Sequence, residues 1–168
     1  METIENFQHY TKPFMRVTVN TFKNFVGFDL TPKNPYMLNR EQDFEYDISG
    51  VIGLSGAIKG AVILSMKKDV ATKLTGRLTG TEHTEIDHDV ADALGEIVNI
   101  ISGNIKKDVR EGDDIRISLP TIIRGSEHYL SWPSKRVRTL CIPFDIFEND
   151  TIYLLVAFEP ESQEQTGG

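Results

Sequence analysis

The chain is 168 residues long, with 39% hydrophobic and 26% charged residues, enough for one domain with its own core. Its net charge of −7 and pI near 5.1 exclude a general nucleic-acid binder, which needs a basic surface for phosphate. No apolar run reaches membrane-span length, no signal-peptide core opens the chain, and the single cysteine, Cys141, excludes an internal disulfide, as suits a cytoplasmic protein.

In chain order, Met1–Tyr10 is a mixed extension. Thr11 is placed to cap a first helix with Pro13 in its first turn, and Phe14, Val17, Thr18, Thr21 and Phe25 share a face up to a C-cap at Gly27. Pro32–Gln42 reads as an irregular connection. Two strands follow, Asp47–Leu54 and Ile58–Met66, with a hairpin turn at Ser55-Gly56-Ala57. Gly50, Gly53, Gly56 and Gly60 match neither dinucleotide nor P-loop spacing and fit bulges, turns and close packing better. Lys67–Leu78 is a short helix stopped by Gly80.

Asp87–Asp108 is the longest amphipathic segment. Val90, Leu94, Ile97, Ile101 and Ile105 form its apolar stripe, with Thr84 or Asp87 as N-cap and Lys106 and Lys107 at the far end. Asp92, Glu96, Asn99 and Gly103 share the opposite face, and Gly95 and Gly103 lie one turn either side of Asn99. Two helical glycines each cost about 1 kcal/mol relative to alanine. Such a face fits a solvated flank with packed glycines as well as it fits a docking surface. After a turn at Glu111–Asp114 come strands at Ile115–Ile123, Arg138–Phe147 and Ile152–Glu159, with a wetter loop, Gly125–Lys135, holding Trp132. Residues 1–160 form one domain in this reading, and 161–168 a disordered polar tail. The class is α+β: long helices packed on one face of a mixed, largely antiparallel sheet of about six strands.

The chemistry candidates are few. His83 and His88 sit among Glu82, Glu85, Asp87 and Asp89, but their spacing is that of a solvated acidic cap, and no metal is assigned. Cys141 lies in an apolar strand, and Ser55, Ser65 and Ser102 lack a nucleophile-elbow context. Lys135, Arg136 and Arg138 form a small basic spot at a strand edge. Glu96 and Asn99 remain, without a general base or metal set to make a self-contained site. An asparagine amide can still orient a water if a partner supplies the electrophile and its metal.

The pattern Asp92-x-x-Gly95-Glu96-x-x-Asn99-x-x-x-Gly103-Asn104 resembles the CheC/CheX/FliY chemotaxis phosphatases, and within them the CheX type. Supporting matches are Ile48–Gly56 with Lys59-Gly60, Pro13-Phe14 with Gly27, Ser118-Leu119-Pro120 with Gly125, and Ile142-Pro143-Phe144, together spanning residues 12–158. The resemblance implies hydrolysis of the aspartyl phosphate of a CheY-type response regulator. Asn99 would orient the attacking water and Glu96 would pair with a regulator lysine. Asp92, Gly95 and Gly103 would border the contact. This chain would bind no cofactor, Mg²⁺ being carried by the regulator. The two-site relatives carry a second E-x-x-N on the first helix; here Val17 and Thr21 stand three residues before Asn20 and Asn24, leaving one such pair. The one-site type implies a homodimer joined through sheet edges. The rival readings are a non-catalytic regulator-binding adaptor on the same fold and a thioesterase-like enzyme, the latter without an identifiable acyl pocket.

Overall fold

The computed structural model describes residues 2–38, 46–109, 112–128, 130–132 and 134–159, with backbone alone for 2–8. The expected tail, 161–168, lies outside them, as do residues 39–42 of the irregular connection and Glu111 of the turn. Helix α1 (Glu2–Thr21) continues into a π-helical turn (Phe22–Val26). Short strands β1 (Thr31–Pro32) and β2 (Tyr36–Met37) lead to the hairpin β3 (Tyr46–Gly56) and β4 (Gly60–Met66). Helices α2 (Lys68–Thr79) and α3 (His88–Asp108) follow, then β5 (Ile115–Ile117), β6 (Thr121–His128), β7 (Arg138–Ile146) and β8 (Asp150–Phe158).

The eight strands form one sheet in the order β1-β7-β8-β4-β3-β5, with β2 also on β7 and β6 also on β3. Every described pairing is antiparallel. This is the expected α+β architecture with two more strands than anticipated, because both edges are broken into pieces. On one edge, Pro143 lacks an N–H, so β7 is met on either side of it by β1 at Phe144 and Asp145 and by β2 at Leu140 and Cys141. On the other edge, the single strand expected over Ile115–Ile123 is interrupted at Ser118–Pro120, and β5 and β6 lie end to end along β3. β6 also runs on to His128, into the stretch expected as loop.

The first helix begins nine residues before the expected cap at Thr11, with Pro13 inside it. Proline removes one helical bond, but tertiary contacts outweigh that cost here. The rings of Tyr10 and Phe14 lie 5.3 and 6.2 Å from that of Phe158, so both turns beside the proline are held on the sheet. Gly27 closes the π-helical turn at φ +83°, its N–H donating to Phe22 O at 2.7 Å. Helix α2 ends at Gly80 as expected, and its N-terminal Lys68 N–H is capped from β3 by Asp47 Oδ2 at 2.7 Å.

One face of the sheet, including Ile48, Ile52, Val62, Leu64, Ile142, Phe144 and Leu154, packs under the helices against Phe14, Leu94, Ile97 and Ile101. Each such side chain contributes about 1.5–3 kcal/mol on full burial. A smaller cluster covers the other face: Tyr46, Ala61, Ile63, Cys141 and Leu155, with Tyr36, Leu130 and Trp132 against it. Burial pushes the Cys141 thiol up to about 11, partly offset by a hydrogen bond with Tyr36, so it is an inert core residue.

Candidate functional site

Helix α3 crosses β3 at Gly50. A methyl placed on Gly50 would lie 3.1 Å from Val98 Cγ1 and 3.3 Å from Leu94 Cγ, so this glycine sets how deeply the helix sits. Val90, Leu94, Ile97, Ile101 and Ile105 are buried as their spacing predicts, and Val98 is buried with them. Asp92, Glu96 and Asn99 are exposed along the opposite ridge, and Gly103 is half-buried with open space where a Cβ would point. Among the described residues, neither Glu96 nor Asn99 has a hydrogen-bond or ion-pair partner. An acid and an amide therefore stand one turn apart, free to bind something outside the chain.

Gly95, expected to border the contact, does not lie open on the ridge. It is buried, and a methyl there would lie 3.6 Å from Ile122 Cδ1 and 3.8 Å from Pro120 Cγ. These are ordinary van der Waals separations, so Gly95 faces the Ser118–Pro120 turn and β6 inside the protein rather than the open surface. Ser118-Leu119-Pro120, a supporting match in the sequence, lies as a turn at the flank of the ridge. On the other flank, antiparallel α1 meets α3 through an Arg16–Asp108 ion pair and an Asn104 Nδ2 contact with Thr21 Oγ1 at 3.5 Å.

Asp87, not Thr84, caps the helix, its Oδ1 accepting from the Val90 N–H at 3.0 Å. His83 Nδ1 lies 2.8 Å from Asp87 Oδ2, and His83 Nε2 is 3.1 Å from Thr79 Oγ1. The His83 ring, followed by the Val90 N–H, holds the Asp87 carboxyl below the usual carboxylate range. His83, Asp87 and Asp89 each bring a possible ligand atom within 4.8 Å of the others, yet both ring nitrogens are already engaged with protein. The cluster serves as a cap. A carboxyl with a depressed folded pKa stabilises the fold above its unfolded pKa and loses that contribution as pH falls through the folded one. The melting-temperature advantage of wild type over Asp87→Ala should therefore be full near neutrality and shrink in acid below the ordinary carboxylate range. A constant difference from pH 7 to pH 2 would contradict this.

Two other groupings were not foreseen. Ser49 Oγ lies 2.8 Å from His128 Nε2 and 2.7 Å from Ser65 Oγ, on the sheet face away from α3. Both serines are fully buried, and His128 Nδ1 is paired with Gly125 O at 2.8 Å rather than with an acid. The group satisfies buried polar atoms and offers no accessible nucleophile. An open cleft of about 320 Å³ lies between Asp47, Lys68, Glu85 and Arg124. Its Lys68 is paired with Glu85 at 2.8 Å and its Asp47 caps α2. No described helix is long and apolar enough to cross a membrane.

The fold that carries the ridge has counterparts. The family model for chemotaxis phosphatase CheX matches residues 48–145, which include the whole of α3 and the Ser118–Pro120 turn. The CheY-P phosphatase CheX of Thermotoga maritima is 24% identical over 109 residues, covering 64% of this chain and 70% of that protein. The crystal structure of CheX from Desulfovibrio desulfuricans superposes with a TM-score of 0.78 at 26% identity, covering 89% of this chain and 99% of the other. The CheX–CheY–BeF3–Mg²⁺ complex of Borrelia burgdorferi matches in fold, with a TM-score of 0.74 at 21% identity over 90% of this chain and 98% of that one. The family match spans more than half of the sequence, and the helix-on-sheet architecture agrees throughout. The chain belongs to the CheX family of chemotaxis phosphatases.

Proposed function

We propose that this chain hydrolyses the aspartyl phosphate of a phosphorylated CheY-type response regulator in the cytoplasm by inserting the α3 ridge into the regulator's active site. The observation that carries the reading is the pair Glu96 and Asn99, exposed one turn apart and without partners among the described residues. Family membership and the relatives named above support it. Asn99 positions a water through its carboxamide for in-line attack on phosphorus; the bond to the aspartyl oxygen breaks, releasing inorganic phosphate and the free carboxylate. Rate comes from positioning, since Glu96, the acid one turn from the amide, is engaged in docking rather than in proton transfer. Mg²⁺ belongs to the regulator and neutralises charge on the phosphoryl oxygens, so this chain needs no metal site of its own.

Glu96 has a different role. Asp89, Asp92 and Glu96 make the N-terminal half of α3 acidic, with His88 the only basic residue there. An active-site lysine of the regulator is the complementary charge, and the Glu96–lysine pair fixes the depth of insertion. Asp92 and open Gly103 border the contact along the same ridge. Homodimerisation through sheet edges, which the family resemblance implies, belongs to this reading too.

The direct test is phosphate release from the phosphorylated regulator with sub-stoichiometric wild-type chain, where many turnovers are expected. Tight binding without faster release would establish the adaptor reading instead. Glu96→Ala should raise KM about 30-fold, the effect of removing about 2 kcal/mol of a desolvated charge pair, and change kcat far less. Because salt screens the exposed charges that draw the two proteins together before docking, the gap from wild type should narrow as salt rises. A KM that is unaltered at all salt concentrations would remove the ion pair from the mechanism.

A further inference from the structure

We infer that Leu119 is a second, apolar anchor for the same regulator, seated in a recess beside the regulator's phosphoaspartate pocket while Asn99 enters it. The inference rests on the proposed function and adds a specificity-determining contact that the Glu96–Asn99 pair does not provide. Among the described residues, Leu119 is the most exposed large apolar side chain, at 86%. Single exposed leucines are ordinary on protein surfaces, so exposure alone assigns nothing. Its mounting and its position do.

The residue before it is clamped from both sides. The Ser118 N–H donates to Gly53 O at 2.9 Å, and the Gly53 N–H donates to Ser118 Oγ at 2.8 Å. The Ser118 hydroxyl donates in turn to Leu119 O at 2.9 Å. The residue after it is Pro120, whose ring fixes φ and whose Cγ would lie 3.8 Å from a methyl on Gly95. Leu119 thus stands on a peg hydrogen-bonded to β3 through Ser118 and lying beside α3 at Pro120. Gly95 directly precedes Glu96, so the peg borders the ridge one turn from Asn99.

A pre-ordered apolar side chain beside an acidic, exposed ridge reproduces the anatomy of a protein interface, an apolar contact within a polar rim. Because the turn is already held, docking spends no free energy on ordering a loop. The occupant is set by continuity: whatever receives Glu96 and Asn99 must pass over Leu119. A broken β5–β6 edge also gains a purpose, since an unbroken strand over residues 115–123 would hold residue 119 flat along β3.

The test uses the full chain and the CheY-type regulator of the same organism loaded with beryllium fluoride and Mg²⁺, with phosphate release measured in parallel. Leu119→Ser should weaken binding about tenfold, near the lower end of what full leucine burial provides, and raise KM by a similar factor. Its kcat and melting temperature should equal wild type, and Leu119→Met should restore affinity. Wild-type affinity in Leu119→Ser would overturn the anchor whether or not the chain is a phosphatase. Binding by wild type without hydrolysis, together with a tenfold loss in Leu119→Ser, would overturn the catalytic reading and uphold the anchor. No binding by wild type would overturn both.

Discussion

Asn99→Ala should lower kcat for dephosphorylation by at least about a hundredfold while changing affinity for the phosphorylated regulator less than about threefold. The fold cannot carry such an effect. Asn99 is exposed in the middle of α3, has no partner among the described residues, and alanine is the better helix former. Only the amide is lost, and with it the group that holds water in line. Asn99→Gln keeps the amide but moves it outward by one methylene, so it should recover only part of the rate. Single-turnover phosphate release under saturating chain separates the chemical step from docking. Wild-type kcat in Asn99→Ala would end the positioning mechanism, whatever Glu96 does.

Gly50→Val should destabilise the protein by about 3 kcal/mol and lower its melting temperature by about 10 °C. The first added carbon already meets Val98 Cγ1 and Leu94 Cγ at 3.1 and 3.3 Å, and the two further methyls have no space between β3 and α3. Gly50→Ala should cost less, since a single added carbon asks Val98 and Leu94 to give by only a few tenths of an ångström. Surviving Gly50→Val protein should also dephosphorylate poorly, because lifting α3 displaces the Glu96–Asn99 ridge relative to the Leu119 turn. Calorimetry decides the point. An unchanged melting temperature would show that α3 does not depend on close approach at this glycine.

Helix α3 was legible from residue spacing because its stripe and its polar ridge differ at every position, and the burial pattern follows them. Glu96 and Asn99 were visible as an isolated acid and amide on that ridge. The burial of Gly95 was not legible because the residues that cover it, Pro120 and Ile122, come from a part of the chain far off in sequence. The early start of α1 was hidden by Pro13, a signal that the Tyr10 and Phe14 contacts with Phe158 override. Strands β1 and β2 were invisible because two residues leave no alternation to read, and their pairing depends on distant Pro143. Leu119 was visible as a residue, but not as part of the site, because its place depends on hydrogen bonds from Gly53 across the sheet.

The strand order has a consequence for how the chain reaches this state. β4 is flanked by β3, its near neighbour in sequence, and by β8, whose Phe158 pairs with Gly60 across most of the chain. During synthesis the β3–β4 hairpin and the helices emerge long before β8, so one edge of β4, with its apolar run Ala61–Leu64, waits unpaired. Closing so large a loop late makes folding slow for a domain of this size and leaves a nascent species prone to strand-to-strand association. The risk that this topology creates falls on the nascent chain and ends when β8 pairs with β4.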